Sequence, residues 1–185
     1  MNAPETFQTA RLLLRRPTLA DAPSIFRRYA SDPEVTRFVG WPRHTTVEQT
    51  EAFVGFSDAE WSRWPAGPYL ILSLDDGVLL GGTGLGFETP YRASTGYVLA
   101  SDTWGRGYAT EALLAMVDLA ANLGVTRLYA LCHHAHQASI RVLEKGGFER
   151  EAVLQRYAAF PNLLPGVPTD VLCYGRALPA MPSSG

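Results

Sequence analysis

Ten consecutive residues, Trp104-Gly105-Arg106-Gly107-Tyr108-Ala109-Thr110-Glu111-Ala112-Leu113, constrain this chain more than any others. An apolar, strand-like run, Gly96-Tyr97-Val98-Leu99, leads into them, and an amphipathic segment over residues 109–123 leads out. A chain written this way runs strand, glycine turn, helix. The glycines remove the side chains that would keep a ligand from the backbone. Free N–H groups at the helix start lie at the positive end of its dipole, so the turn is an anion site suited to a phosphate or pyrophosphate.

Two nucleotide motifs compete for this turn. A Walker loop needs Gly-Lys followed by Ser or Thr at a longer glycine spacing, and here Arg106 lies between the glycines. A dinucleotide fingerprint needs a third glycine and a later acidic residue, and neither is in place. A plain tight turn before a helix is the third reading, because short glycine motifs recur by accident.

The rest of the chain supplies the context. Residues 12–14 read as a strand, and Thr18 or Asp21 caps a helix to about Tyr29, broken by Asp32-Pro33. Thr45 or Thr46 starts a second helix that ends at residues 65–68. Residues 69–74 and 78–87 form a hairpin about Asp75-Asp76-Gly77. Residues 94–99 are a strand, and the glycine turn and its helix follow, stopped by Gly124. A strand (127–132), a helix (137–145) and two strands (148–157, 167–174) complete the order, with a proline-rich loop over 160–168. This order predicts an α+β fold with a mostly antiparallel sheet and about four helices. One domain over residues 1–178 is expected, with a frayed Pro/Ser/Gly tail at 179–185.

Composition excludes several classes. A chain of 185 residues suits one domain, and its 46% hydrophobic content is that of a globular protein. A net charge of −2 leaves no basic field for nucleic acid, and Arg15-Arg16 and Arg27-Arg28 read as solvated pairs. The first residues lack the basic and apolar regions of a signal peptide, and no apolar run is long enough to span a bilayer. Cys132 and Cys173 lie in apolar runs and read as buried, reduced thiols of a cytoplasmic protein.

The ten-residue block resembles the acetyl-CoA loop of the GNAT acetyltransferase superfamily, and most of all its RimJ/RimL-like branch of ribosomal-protein N-terminal acetyltransferases. That loop reads Gln/Arg-x-x-Gly-x-Gly/Ala; here Trp104 takes the first slot, and the branch's Gly-Tyr-Ala-Thr-Glu-Ala stands in full at residues 107–112. Thr9-Ala10-Arg11-Leu12-Leu13-Leu14-Arg15 resembles the first strand, Ala138-Ser139-Ile140-Arg141-Val142-Leu143-Glu144-Lys145-Gly146-Gly147-Phe148 the last helix and turn, and Asp170-Val171-Leu172-Cys173-Tyr174 the final strand. The resemblance implies that the strands flanking the loop helix, 94–99 and 127–132, part and admit the pantetheine arm of acetyl-CoA as an extra strand. The backbones of Tyr97, Val98 and Leu99 would bond that arm. Trp104, Gly105, Arg106, Gly107, Tyr108, Ala109 and Thr110 would form the pyrophosphate cradle, with Arg106 adding charge and Thr110 capping the helix or touching phosphate. No metal is implied.

Direct acyl transfer from a thioester needs proximity, a neutral amine and a stabilised thiolate. Ser139 matches the serine that would donate to the departing sulfur; its alternative role is a helix-start hydroxyl. His136 stands where the family usually has Asn, and would contact the cofactor or move a proton near neutral pH. Ser94 stands where members often carry a Glu base, which leaves Glu88 as the substitute; a solvated loop carboxylate is its alternative. Glu111, in the first helical turn, is explained by dipole compensation. Adjacent His133 and His134 should point to opposite sides and so not share a metal ion, and Cys132 has no feature of a nucleophile. Phe38 and Trp41, in Phe38-Val39-Gly40-Trp41-Pro42, resemble a family loop bordering the acceptor; Trp61, Trp64, Tyr157 and Phe160 are further candidates for that side.

An α-amine of pKa near ~7.8 is on the order of 10% neutral at pH 7, whereas a lysine near ~10.4 is below ~0.1% neutral. The missing Glu therefore favours an acceptor α-amine or a small amine of low pKa. The expected activity is acetylation of a protein N-terminal α-amine in a ternary complex by a monomer or homodimer. A small-molecule amine acceptor, a non-catalytic acyl-CoA sensor and a nucleotide-dependent kinase are the rivals.

Overall fold

The strands β1 (Thr6–Gln8), β2 (Leu12–Arg15), β3 (Pro68–Ser73), β4 (Leu79–Thr89), β5 (Arg92–Leu99), β6 (Arg127–His133), β7 (Glu149–Ala159) and β8 (Pro168–Ala177) make one sheet in the order β1-β2-β3-β4-β5-β6-β8-β7. The helices are α1 (Ala22–Ile25), α2 (Val47–Arg63), α3 (Tyr108–Asn122) and α4 (Gln137–Lys145). These elements come from a computed structural model that describes residues 2–179. The tail expected at residues 179–185 lies outside them beyond Pro179. Every neighbouring pair is antiparallel except β5 and β6, which are parallel. Among the described residues no helix is long and apolar enough to cross a membrane.

A parallel pair requires a crossover, and α3 supplies it. Its sequence is rich in Ala and Leu, which favour helix. It buries Ala112, Leu113, Met116, Leu119 and Ala120 against one face of the sheet. Leu12, Leu14, Ile71, Leu85, Phe87, Ala93, Leu99, Leu128 and Ala130 meet it there. Because side chains alternate along a strand, Leu70, Val98 and their neighbours face the other way. They pack with Ile25 and Tyr29 of the first helical segment and Val54 of α2. Thr46 and Gln49 cap α2 reciprocally, as a Thr-x-x-Gln start allows.

Several expectations are refined. The helix expected from Thr18 or Asp21 is a single tight turn (Leu19–Asp21), then α1, then a wide turn over Phe26–Ala30 closed by a bond from the Ser31 N–H to the Phe26 carbonyl at 3.1 Å. Strand β1 went unread because three residues, Thr-Phe-Gln, carry too little periodicity; pairing with β2 makes it a strand. Arg15 is not a solvated cation: it bonds Asp21 through both terminal nitrogens. Arg28 bonds the Leu79 carbonyl at 2.9 Å and both Asp102 oxygens at 3.0 Å. Cys132 is buried, with its thiol pushed up to about 11 by burial, but Cys173 is only half-buried, on the opposite face of the sheet from α3.

The central irregularity is between β5 and β6. They pair only at Arg92/Arg127, Ala93/Leu128 and Ser94/Tyr129. Beyond that point β5 stays bonded to β4 as far as Leu99, and β6 to β8 as far as His133. The remaining five residues of β5 therefore offer a free backbone edge roughly 16 Å long.

Candidate functional site: a cleft between parted strands

The glycine turn lies at the open end of this gap. Gly105 and Gly107 both adopt left-handed backbone, with φ of 75° and 81°, and Gly107 caps α3. The helix starts at Tyr108, one residue earlier than its apolar pattern suggests. A Cβ on Gly105 would meet nothing within 4 Å, so the turn is open on that side. The Trp104 indole N–H donates to the Leu99 carbonyl at 2.9 Å, which ties the turn to the end of β5 and takes up one carbonyl of the strand. Arg106 is exposed, and its carbonyl accepts from Arg11 at 3.0 Å. Thr110 lies within the first turn of α3 and is not its capping residue.

Glu111 does more than compensate a dipole. Its carboxylate accepts from the Thr9 hydroxyl at 2.6 Å, the Arg11 N–H at 2.9 Å and the Arg11 guanidinium at 2.7 Å. Burial pushes its pKa up, but the Thr9 and Arg11 bonds outweigh this and hold it below the usual carboxylate range. The Arg11 guanidinium also lies over the Tyr108 ring at 4.7 Å. The Thr-x-Arg of the first strand motif and the Tyr-x-x-Glu of the loop motif are thus one clamp, which fixes where the α3 amides point.

Tyr97 carries the gap across to α4. Its phenol donates to the Ser139 carbonyl at 3.1 Å and lies 3.0 Å from the Ser139 hydroxyl. Burial raises the Tyr97 pKa well above the usual phenol value. Its single proton serves the carbonyl or the hydroxyl, so Ser139 sits in a polar pair and is free to turn its own proton elsewhere.

The last paired residues, Ser94 and Tyr129, mark the closed end of the gap. Both point away from α3, as does Glu88 at the end of β4. The Tyr129 phenol donates to Glu88, and Arg92 pairs with the same carboxylate at 2.7 Å. Burial, with Glu88 next, pushes Tyr129 up to about 12. Glu88 is thus a carboxylate at the apex of the gap that is bonded to two partners and still exposed to solvent. Tyr129 gives no signal in the sequence beyond its alternation with buried Leu128 and Ala130.

On the same face, at the open side, stands an aromatic wall. The Phe38 ring stacks on His136 at 4.7 Å and lies 5.2 Å from His133. Phe160 meets His133 edge-on at 4.8 Å. Burial, then neighbouring His133, lowers the His136 pKa; burial, then His134, lowers that of His133. Both shifts favour the neutral ring. His133 and His134 do not diverge as expected: the chain leaves β6 at His133, the strand alternation ends, and their rings stack at 4.3 Å. Trp41 lies 5.1 Å from His44 beside this wall. Trp61 and Trp64 are elsewhere, packed on Tyr69 and Phe87.

Residues 11–149 match the model of the acetyltransferase (GNAT) domain. An uncharacterized N-acetyltransferase of Bacillus subtilis (strain 168), YoaA, is 31% identical over 175 residues, covering 93% of this chain and 96% of that protein. Among solved structures, a RimL ribosomal-protein alpha-N-acetyltransferase in complex with coenzyme A superposes with a TM-score of 0.83 at 23% identity, over 94% of this chain and 98% of that one. The microcin self-immunity acetyltransferase MccE, in complex with acetyl-CoA and AMP, gives 0.84 at 19% identity, over 95% and 98%. At these identities the two structures speak to the fold.

Proposed function

Because the chain belongs to the acetyltransferase (GNAT) domain family, we propose that this cleft binds acetyl-CoA and that the acceptor is a protein N-terminal α-amine. The enzyme class, acetyl-CoA-dependent N-acetyltransferase, is that of the family. One observation carries the placement: the left-handed glycines at the start of α3 open onto the same gap along which β5 loses its partner. An extended diamide lies along a free strand edge with its backbone groups paired, and its diphosphate end then meets the α3 amides. Trp104, Gly105, Arg106, Gly107, Tyr108, Ala109 and Thr110 would hold that end, and Tyr97, Val98 and Leu99 the arm.

The chemistry assigned to the cleft is direct attack. The neutral amine forms the C–N bond, the C–S bond breaks, and one proton is lost from nitrogen while one is gained by sulfur. Ser139, held by Tyr97, donates a hydrogen bond that stabilises the departing thiolate, which then takes its proton from water. Glu88, held by Tyr129 and Arg92, takes the amine's proton through water at the apex. His136, whose burial favours the neutral ring, is stacked on Phe38 beside the acceptor path, where it orients the acceptor or relays the proton. The RimL likeness supports an α-amine acceptor; MccE, whose complex includes AMP, keeps a small-molecule amine as the second reading. The predicted setting is the cytoplasm, with no nucleic acid partner.

Thiol release from acetyl-CoA across a panel of amines tests this reading. A peptide with a free N-terminus is expected to exceed the same peptide with a blocked N-terminus and a free lysine by at least tenfold in kcat/KM. Turnover confined to small amines would move the acceptor to the second reading. Tight acetyl-CoA binding with no turnover on any amine would make the protein a sensor. In the same assay Ser139→Ala should lower kcat by about a hundredfold with acetyl-CoA affinity nearly unchanged. An unchanged kcat would return Ser139 to the role of a helix-start hydroxyl.

A further inference from the structure

We infer that Asn162 is a specificity-determining positioning residue that sets the width of the acceptor side of the cleft, an inference that rests on the acceptor placement above. The Asn162 side chain lies in the connection between β7 and β8, and every bond it makes is to main chain more than a hundred residues away. Its amide nitrogen donates to the Thr36 carbonyl at 2.8 Å and the Trp41 carbonyl at 2.9 Å. Its amide oxygen accepts from the Arg43 N–H at 2.7 Å. Both donors and the acceptor of one carboxamide are thus spent on the segment over residues 36–43. Among the described residues no other hydrogen bond joins that segment to residues 160–167.

The two segments carry the two outer rings of the aromatic wall. Phe38 belongs to one and Phe160 to the other, and His133 is held between them at 5.2 Å and 4.8 Å. Loop segments with few backbone bonds of their own open easily, so three bonds from one side chain decide how far apart Phe38 and Phe160 stay. Because those bonds go to backbone, the clasp is indifferent to the side chains on residues 36–43. With the clasp shut, His133 and the two rings fill this side of the cleft. A narrow acceptor passes and one with a bulky group next to its amine does not.

The test compares two peptides of one sequence, with alanine or tryptophan as first residue, on the wild type and on Asn162→Ala. The wild type should favour alanine. In the variant the preference should shrink about tenfold, with the acceptor KM raised and the acetyl-CoA KM unchanged. Hydrogen exchange should quicken together in residues 36–43 and 160–167, and not in α3. An unchanged preference, or equal rises in both KM values, would overturn the inference. So would unchanged exchange. If Asn162→Ala does not fold, Asn162→Ser carries the same comparison with a side chain too short to reach all three partners. Failure of the wild type to acetylate either peptide would count against the α-amine acceptor alone. The same ratio is then read on a narrow and a wide small primary amine, where an unchanged ratio again overturns the clasp.

Discussion

Gly107→Glu is expected to abolish acetyl-CoA binding while the fold survives. Two effects combine. An L-residue at the Gly107 φ of 81° costs about 1–2 kcal/mol, because its Cβ crowds the neighbouring carbonyl. A carboxylate at the cap of α3 also stands where a diphosphate must approach the helix amides. Like charges about 4 Å apart near a surface repel by roughly 3–4 kcal/mol, or a loss of at least about a hundredfold. Arg11 Nη2 would lie 3.4 Å from the new Cβ, but it is already paired with Glu111, so it offsets the added charge only in part. Gly107→Ala separates the terms: it keeps the strain and lacks the charge. Calorimetric titration with acetyl-CoA should find Gly107→Ala weakened several-fold and Gly107→Glu without measurable heat. Equal affinity in all three proteins would remove the pyrophosphate from this turn.

Gly81→Ala is expected to be the most destabilising single methyl in the cleft region. A Cβ at Gly81 would overlap the Val98 carbonyl oxygen, and would lie 2.8 Å from the Leu99 Cδ2 and 2.9 Å from its Cα. Two of those atoms are backbone, so relief requires β4 and β5 to move apart where Gly81 pairs with Leu99. Overpacking of this kind costs about 2–3 kcal/mol, which lowers Tm by roughly 5–10 °C in a domain of this size. The shift also displaces the free edge of β5 at Val98 and Leu99, so acetyl-CoA affinity should fall with stability. Gly96→Ala is the control, because a Cβ there meets nothing within 4 Å. Thermal unfolding of the two variants checks the claim. A Gly81→Ala protein as stable as Gly96→Ala would mean that the strands accommodate the methyl, and that their close approach is not required.

The elements easiest to read were those whose signals are local. The Thr46 cap of α2, the Asp75-Asp76-Gly77 turn and the helix over 137–145 each rest on a few adjacent residues, and each stands as expected. The opening of β5 from β6 followed from family resemblance, since nothing in either strand's own composition forbids pairing. The turn of the candidate site was legible where backbone does the work, at the left-handed Gly105 and Gly107. The candidate site was less legible where side chains from distant elements meet. Glu111 looked like a helix-dipole residue because Thr9 and Arg11 are about a hundred positions away. Glu88 is solvated as its alternative reading held, but its bond to Tyr129 gave no signal because that partner arrives on another strand. Asn162 gave no signal, since an Asn in a proline-rich loop is ordinary turn chemistry.

From its sequence alone this chain was committed to an α+β order, to a glycine turn that starts a helix, and to the residue types from which a phosphate cradle can be made. Those properties follow from backbone sterics and side-chain periodicity, which act over one or two turns. Tertiary structure alone decided that Tyr97 reaches Ser139, that Arg11 and Glu111 tie the first strand motif to the start of α3, and that one carboxamide at Asn162 joins residues 36–43 to the connection between β7 and β8. The physical reason is distance along the chain: such contacts exist only after sheet register and helix packing have brought the partners together, and neither is written in the residues next to them.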